Sequence, residues 1–154
     1  MMKRTSNRPV AAGRMSVDEA WTFALVTGVL GIFIMGYWFN WTAAALSAFS
    51  LFLYGFVYTP LKKVHSIAVL VGAVPGALPC LIGWVAGTDA FTAGGWILFA
   101  LQFFWQFPHF WAIAWVADDD YKKAGFKLLP SGGGKDHNTA IQIMIYTMFL
   151  IPLG

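Results

Sequence analysis

The chain has 154 residues, of which 58% are hydrophobic, 18% are aromatic and only 11% are charged. Soluble domains carry about 25% charged residues, so the composition excludes an ordinary soluble domain and predicts a membrane protein with no nucleic-acid partner. The single cysteine, Cys80, lies in an apolar run and excludes a disulfide within the chain.

Charge-free runs predict the membrane spans. Residues 20–61 contain no Asp, Glu, Lys or Arg, which is too long for one span of about 20 residues. A turn near Asn40 divides the run into two spans. Further runs complete an all-α, polytopic transmembrane helix bundle of about five spans in one membrane domain, with the spans at 21–39, 41–60, 67–87, 96–117 and 139–154. Both ends of the chain look cut, and we expect it to be the middle portion of a longer protein.

The basic residues are predicted to lie on one side of the membrane. They precede the first span, follow the second and follow the fourth, and antiparallel spans bring these three segments together. The positive-inside rule makes this side cytoplasmic. The ten residues are Lys3, Arg4, Arg8, Arg14, Lys62, Lys63, Lys122, Lys123, Lys127 and Lys135.

The third predicted span is rich in glycine and proline. Gly72 and Gly76 form one pair of small residues four apart, and Gly83 and Gly87 form another. Together with Pro75, these residues leave two interpretations open: close helix packing with a proline kink, or a broken helix that lines a cavity.

Three aspartates, Asp118, Asp119 and Asp120, follow the fourth span. They oppose the dipole of that helix, and residues alone leave three interpretations open: pairs with lysines four residues later, a helix cap, or binding of a divalent cation such as Mg²⁺.

The arginines before the first span either follow the positive-inside rule or contact phosphate groups in bidentate fashion.

The fourth span holds polar groups among aromatic rings. His109 lies inside the span, where an ionisable side chain is a functional hypothesis by default. Gln106 precedes it by three residues, so we expect both on roughly one helical face, with Pro108 freeing a backbone carbonyl nearby. An interhelical hydrogen bond, a haem or cofactor ligand, and a proton-handling group all stay open for His109. Most of the rings, including Trp105, are expected to meet lipid or neighbouring helices.

Four stretches carry a resemblance to a known family: MKRTSNRPVAAGR, YTPLKK, WQFPHFWAIAW and DDDYKKAGFKLLP. In this order they resemble the protoheme IX farnesyltransferases, or haem O synthases, which are UbiA-type intramembrane prenyltransferases. The resemblance implies a helix bundle around a cavity open to lipid. It also implies transfer of a farnesyl group from farnesyl diphosphate to a vinyl group of haem B, with Mg²⁺ bound by a pair of aspartate-rich motifs on cytoplasmic loops.

The resemblance assigns candidate roles by position. It implies metal binding and catalysis by Asp119 and Asp120, and catalytic contacts of Arg4 and Arg8 with the diphosphate. The further candidates for substrate binding are Lys62, Lys63, Tyr121, Lys122, His109, Gln106, Trp105 and Arg14. The first aspartate-rich motif of the family is absent, and the stretch LLPSGGGKD departs from its usual continuation, which leaves the roles of Lys135 and Asp136 open.

The expected partners are farnesyl diphosphate, haem B and the lipid bilayer, with a haem A synthase or oxidase assembly proteins as further candidates. The expected location is the bacterial plasma (inner) membrane. Two alternatives are a sister UbiA-type enzyme that prenylates a quinone precursor or another aromatic acceptor, and a non-enzymatic haem-binding membrane subunit.

Overall fold

The computed structural model describes residues 6–61, 67–119, 129 and 135–153. These ranges contain five main helices and a final 3₁₀ turn at Ile151–Leu153. The helices are α1 (Val17–Trp38), α2 (Trp41–Leu61), α3 (Ala68–Thr88), α4 (Ala93–Val116) and α5 (His137–Phe149).

Helix α1 begins and ends at clear sequence signals. At its start, the Ser16 hydroxyl accepts from the Glu19 amide at 3.1 Å, and the Glu19 carboxylate accepts from the Ser16 amide at 2.8 Å, which is a capping box. At its end, the chain turns at Asn40, whose side-chain oxygen accepts from the Ala43 amide at 2.7 Å and caps α2. The predicted turn near Asn40 is therefore present, with a capping role.

Helix α2 widens near its end into a π-helical turn at Leu53–Tyr58. Both the amide and the hydroxyl of Thr59 donate to the Tyr54 carbonyl, the hydroxyl at 2.8 Å. The ring of Tyr58 lies directly against the backbone of Gly72 in α3, where an added Cβ would come within 2.6 Å of the ring. The widened turn thus brings a tyrosine onto the glycine surface of the next helix.

Helix α3 stays helical through Pro75 and Pro79. Because Pro79 has no amide hydrogen, the carbonyl of Pro75 loses its helical donor. The Ser50 hydroxyl of α2 donates to that carbonyl at 3.2 Å. In the most apolar 18-residue stretch of α3, 50% of the residues are buried. The structure therefore favours the close-packing interpretation of this span over the broken helix.

Successive helices run antiparallel and pack in chain order. One core cluster joins α2 and α3 through Ala43, Leu78, Leu81 and Val85. The other joins α3 and α4 and also contains Leu129; its buried members are Ala73, Phe107, Trp111, Ala114 and Leu129. Between α1, α2 and α3 there is instead an apolar groove of about 650 Å³.

The charged end of the bundle is the end at which α1, α3 and α5 begin and α2 and α4 finish. Among the described residues, every Asp, Glu, Lys and Arg except Asp89 lies at this end. Asp89 follows α3 at the opposite end, in a left-handed turn with φ of 54°. The charge separation expected from the sequence is therefore present along the described bundle.

The predicted all-α helix bundle is confirmed. Four of its helices, α1 to α4, are long and apolar enough to cross a membrane. Helix α5 has 13 residues, fewer than the about 20 that cross a bilayer, and the fifth span stays a prediction.

Candidate functional site at the charged end and along helix α4

The segment before α1 presents two of the predicted arginines to solvent. Its backbone closes into turns, in which the Ala12 amide donates to the Arg8 carbonyl at 2.8 Å. The Arg14 guanidinium donates to the Asn7 carbonyl at 2.5 Å. Both arginine side chains are exposed, and each guanidinium keeps donors in excess of these contacts. This surface can bind an anionic group.

The first two residues of the aspartate run differ in environment. Asp118 is 7% exposed, whereas Asp119 is exposed at the end of α4. Leu129, from the sequence LLP that follows, is buried against Phe107 and Trp111. The end of α4 therefore offers one solvent-facing carboxylate among the described residues, and Leu129 packs against the same helix.

Six of the predicted site residues lie outside the described residues: Arg4, Lys62, Lys63, Asp120, Tyr121 and Lys122. Within the described ranges, no group of three or more His, Cys, Asp or Glu side chains is placed to hold a metal ion. The metal role of Asp119 and Asp120 stays a prediction.

Gln106 lies in a close contact between α3 and α4. Its side chain is 4% exposed, and its amide nitrogen donates to the Ala73 carbonyl at 3.1 Å and to the Gln102 carbonyl at 3.4 Å. The carboxamide lies so close to Gly76 that a Cβ added there would collide with it. Through these contacts Gln106 links α4 to α3. Its role in substrate binding stays a prediction.

His109 lies about 60° around α4 from Gln106, outside the contact with α3. Its imidazole stacks on the indole of Trp105, with ring centroids 4.4 Å apart and planes inclined by 17°. Both side chains are exposed. A spacing of three residues leaves about 60° between Gln106 and His109 on a helix, which agrees with the expectation that they lie on roughly one face. The edge of the α3 contact falls within that angle, so Gln106 is buried and His109 is exposed.

Aromatic rings follow α4 along much of its length. Phe99, Phe103, Phe107 and Trp111 succeed one another with centroids 5.3–6.0 Å apart. Tyr146 of α5 closes onto the last two at 5.0 Å from Trp111 and 5.8 Å from Phe107. These offset and edge-to-face contacts are the arrangements that aromatic rings prefer, and they bind α5 to the half of α4 near the charged end.

Two polar contacts across helices were not expected from the sequence. One is the bond from the Ser50 hydroxyl to the Pro75 carbonyl. The sequence does contain a signal for it, because Pro79, four residues after Pro75, leaves that carbonyl without its helical donor. The other comes from Asn40, whose amide nitrogen donates to the Val85 carbonyl in α3 at 2.8 Å. Asn40 was expected only to turn the chain, yet it also ties that turn to α3.

Comparison with known proteins identifies the family. The whole chain, residues 1–154, matches the UbiA prenyltransferase family. The chain belongs to this family. As a member of this family with four helices able to cross a membrane, it is an integral membrane protein.

Several relatives of the chain are named protoheme IX farnesyltransferase. The chain is 52% identical over 150 residues to one from Flavobacterium psychrophilum, which covers 97% of the chain and 49% of that relative. It is 50% identical to one from Cytophaga hutchinsonii, over 100% of the chain and 54% of the relative, and 42% identical to one from Koribacter versatilis, over 99% and 49%. The chain thus spans about half the length of the curated relatives it matches. No solved structure matches it.

Proposed function

We propose that the protein transfers a farnesyl group from farnesyl diphosphate to a vinyl group of haem B and so forms haem O. The observation that carries this proposal is the identity of 50–52% with relatives named protoheme IX farnesyltransferase, extending over 97–100% of the chain. The charged end and the polar groups of α4 supply chemistry that suits an anionic substrate and a large flat acceptor.

The arginines are proposed to bind the diphosphate. Arg8 and Arg14 are exposed at the charged end, and guanidinium groups form bidentate contacts with phosphate oxygens. Arg4, Lys62 and Lys63, which lie outside the described residues, belong to the same proposed set, as do Tyr121 and Lys122. By stabilising the negative charge that grows on the departing diphosphate, the arginines and lysines of this set, with the Tyr121 hydroxyl as a neutral hydrogen-bond donor, are proposed to lower the barrier to its release.

The carboxylates are proposed to hold Mg²⁺. Asp119 is exposed where α4 ends, and Asp120 follows it directly; carboxylate oxygens are the ligands that Mg²⁺ takes together with substrate phosphates. When bound, the metal neutralises part of the diphosphate charge. Buried Asp118 is not included in the set.

The proposed reaction forms a carbon–carbon and a carbon–oxygen bond at the expense of the allylic carbon–oxygen bond, the π bond of the vinyl group and one O–H bond of water. The bond between the allylic carbon of farnesyl and its diphosphate oxygen breaks, and the electron pair leaves with the diphosphate. The vinyl group of haem B supplies the electrons of the new carbon–carbon bond, and water adds to the cation left on the former vinyl group and releases a proton. Catalysis of this kind depends on positioning and electrostatics, and aromatic faces can stabilise cationic carbon by about 0.5–2 kcal/mol.

The proposed location is the bacterial plasma membrane, with the charged end on the cytoplasmic side. The support is the segregation of charge along the bundle, since positively charged loops stay cytoplasmic. A haem A synthase or oxidase assembly proteins are the proposed protein partners.

A product assay tests the proposed function. The full-length protein in liposomes is given haem B, farnesyl diphosphate and Mg²⁺, and the haem fraction is examined by mass spectrometry. We expect a haem O mass that disappears when EDTA removes the metal. If haem B is bound but no haem O forms, the assignment fails, and prenylation of a quinone precursor in the same assay would replace it.

Neutralising the aspartates separates an enzyme from a haem carrier. We expect Asp119→Asn combined with Asp120→Asn to lower the rate of haem O formation by about 10²–10³-fold or more, the loss typical of one missing electrostatic contact in an active site. The matched control is Asp89→Asn, which removes an exposed carboxylate at the opposite end and should keep the rate within about twofold of wild type. Full activity of the double variant would contradict the metal assignment.

A further inference from the structure

The exposed face of α4 contains an ionisable group that the fold does not use. His109 is exposed, and its only contacts with the described residues are with aromatic rings: Trp105 at 4.4 Å and Phe110 at 5.9 Å. By contrast, the described polar side chains that face α3 are hydrogen-bonded to it. A histidine at membrane depth without a hydrogen-bonding task is costly and points to a ligand.

The stack with Trp105 covers one flat face of the imidazole of His109, a side chain that is exposed. Stacking covers a flat face of the ring, whereas a metal binds in the plane of the ring through a nitrogen lone pair. The near-parallel angle of 17° means that the indole lies over a face of the imidazole and not against its edge, where the two nitrogens lie. Contacts of this kind, outside the metal ligand itself, orient the ligand and raise affinity.

A small residue follows His109 in the direction of the charged end. Ala112 lies one turn further along α4 on the exposed face, and its methyl group leaves room for a flat molecule beside the imidazole. About 10 Å of helix, at 1.5 Å per residue, separate His109 from the end of α4 at Val116. A macrocycle held at His109 and extending over Ala112 therefore approaches the end at which Asp119 lies.

We propose that His109 is the axial ligand of the iron of the acceptor haem and that Trp105 positions its imidazole. Histidine is a common axial ligand of haem iron. The inference rests on the proposed function, because it takes haem as the acceptor. It adds a specific anchor: the iron sits at mid-α4, and the reacting edge of the macrocycle is directed to the diphosphate at the charged end.

Haem titration of the full-length protein in detergent tests this assignment without reference to turnover. Haem B is added to wild type and to His109→Ala while the Soret absorption is recorded. We expect wild type to show a histidine-ligated spectrum that His109→Ala lacks. We also expect the half-saturating haem concentration to rise about tenfold or more, since even the outer partners of metal ligands affect affinity by about 10–100-fold. The matched control is His137→Ala, which removes an exposed histidine at the start of α5 and should leave spectrum and affinity unchanged.

Two further variants distinguish ligation from a structural effect. His109→Gly should regain the wild-type spectrum when free imidazole is added, because imidazole can then occupy the same coordination position. Ala112→Trp should weaken haem binding with His109 intact and leave the KM for farnesyl diphosphate unchanged. An unaltered spectrum in His109→Ala would overturn the proposal. Loss of folding in that variant, together with no imidazole rescue of His109→Gly, would also overturn it, because His109 would then pack against another part of the protein.

The outcomes also separate this inference from the proposed function. If wild type makes haem O but His109→Ala keeps the wild-type haem spectrum, the axial-ligand assignment alone fails. If wild type binds haem through His109 but makes no haem O, the ligand assignment stands and the farnesyl transfer fails.

Discussion

The two faces of α4 carry polar side chains of similar size in opposite circumstances. Gln106 is buried, and its amide nitrogen bonds to α3. His109, three residues later, is exposed and stacks on Trp105 of its own helix. The comparison teaches that a polar residue within a span is explained by what its face meets: one face of α4 holds the bundle together, and the other is available to a ligand.

The largest expected effect on the buried face comes from filling its closest contact. Gly76→Val places a side chain where the Gln106 carboxamide lies, and overpacking of this kind costs about 1–3 kcal/mol. Thermal unfolding in detergent should show a clear decrease in Tm. The control is Gly83→Val, where nothing lies within 4 Å of the added Cβ; an equal decrease in both variants would mean that the α3–α4 contact is not specific.

A smaller effect is expected from removing the interhelical bond of Gln106. Gln106→Leu keeps the volume but loses the donor to the Ala73 carbonyl, and such bonds within membranes contribute about 0.6 kcal/mol on average and up to about 1.7 kcal/mol. Tm should fall modestly, and haem affinity should stay at the wild-type value. Gln102→Leu, one turn away and half-buried, is the control. A large loss of haem affinity with unchanged Tm would show instead that Gln106 contacts the substrate.

The smallest effect is expected between α2 and α3. Ser50→Ala removes the hydroxyl that donates to the Pro75 carbonyl, at a cost of about 0.6 kcal/mol. Ser47→Ala serves as its control, because the Ser47 hydroxyl donates to the Ala43 carbonyl within its own helix. Denaturation of the two variants side by side should show the larger loss of stability for Ser50→Ala. The reverse order would mean that the bond to the Pro75 carbonyl does not stabilise the contact between α2 and α3.

The sequence predicts the helices far better than it predicts their faces. Charge-free length and the turn at Asn40 place the bundle, because a membrane requires about 20 apolar residues per span. The separation of Gln106 from His109 depends on where the α3 contact ends around α4, and an all-round apolar helix gives no periodic signal for that edge.

In the candidate site, too, some features follow from the sequence and others depend on packing. The exposure of Arg8, Arg14 and Asp119 agrees with their charge and position, whereas the burial of Asp118 beside an exposed Asp119 depends on how the chain packs at the end of α4. The π-helical turn at Leu53–Tyr58 lies just before Pro60, which removes a helical hydrogen bond. That proline signals a disturbance of the helix, but it does not predict the packing of Tyr58 against Gly72.

The contrast between a structural Gln106 and a ligand-binding His109 is tested most directly with the variants Gln106→Leu and His109→Ala of the full-length protein. Thermal unfolding and the Soret spectrum of bound haem B are measured for both, side by side. The account predicts that Gln106→Leu lowers Tm and keeps the wild-type spectrum, and that His109→Ala keeps Tm and loses the histidine-ligated spectrum. The opposite pattern, with Gln106→Leu changing the spectrum and His109→Ala only lowering Tm, would contradict the assignment of both faces of α4.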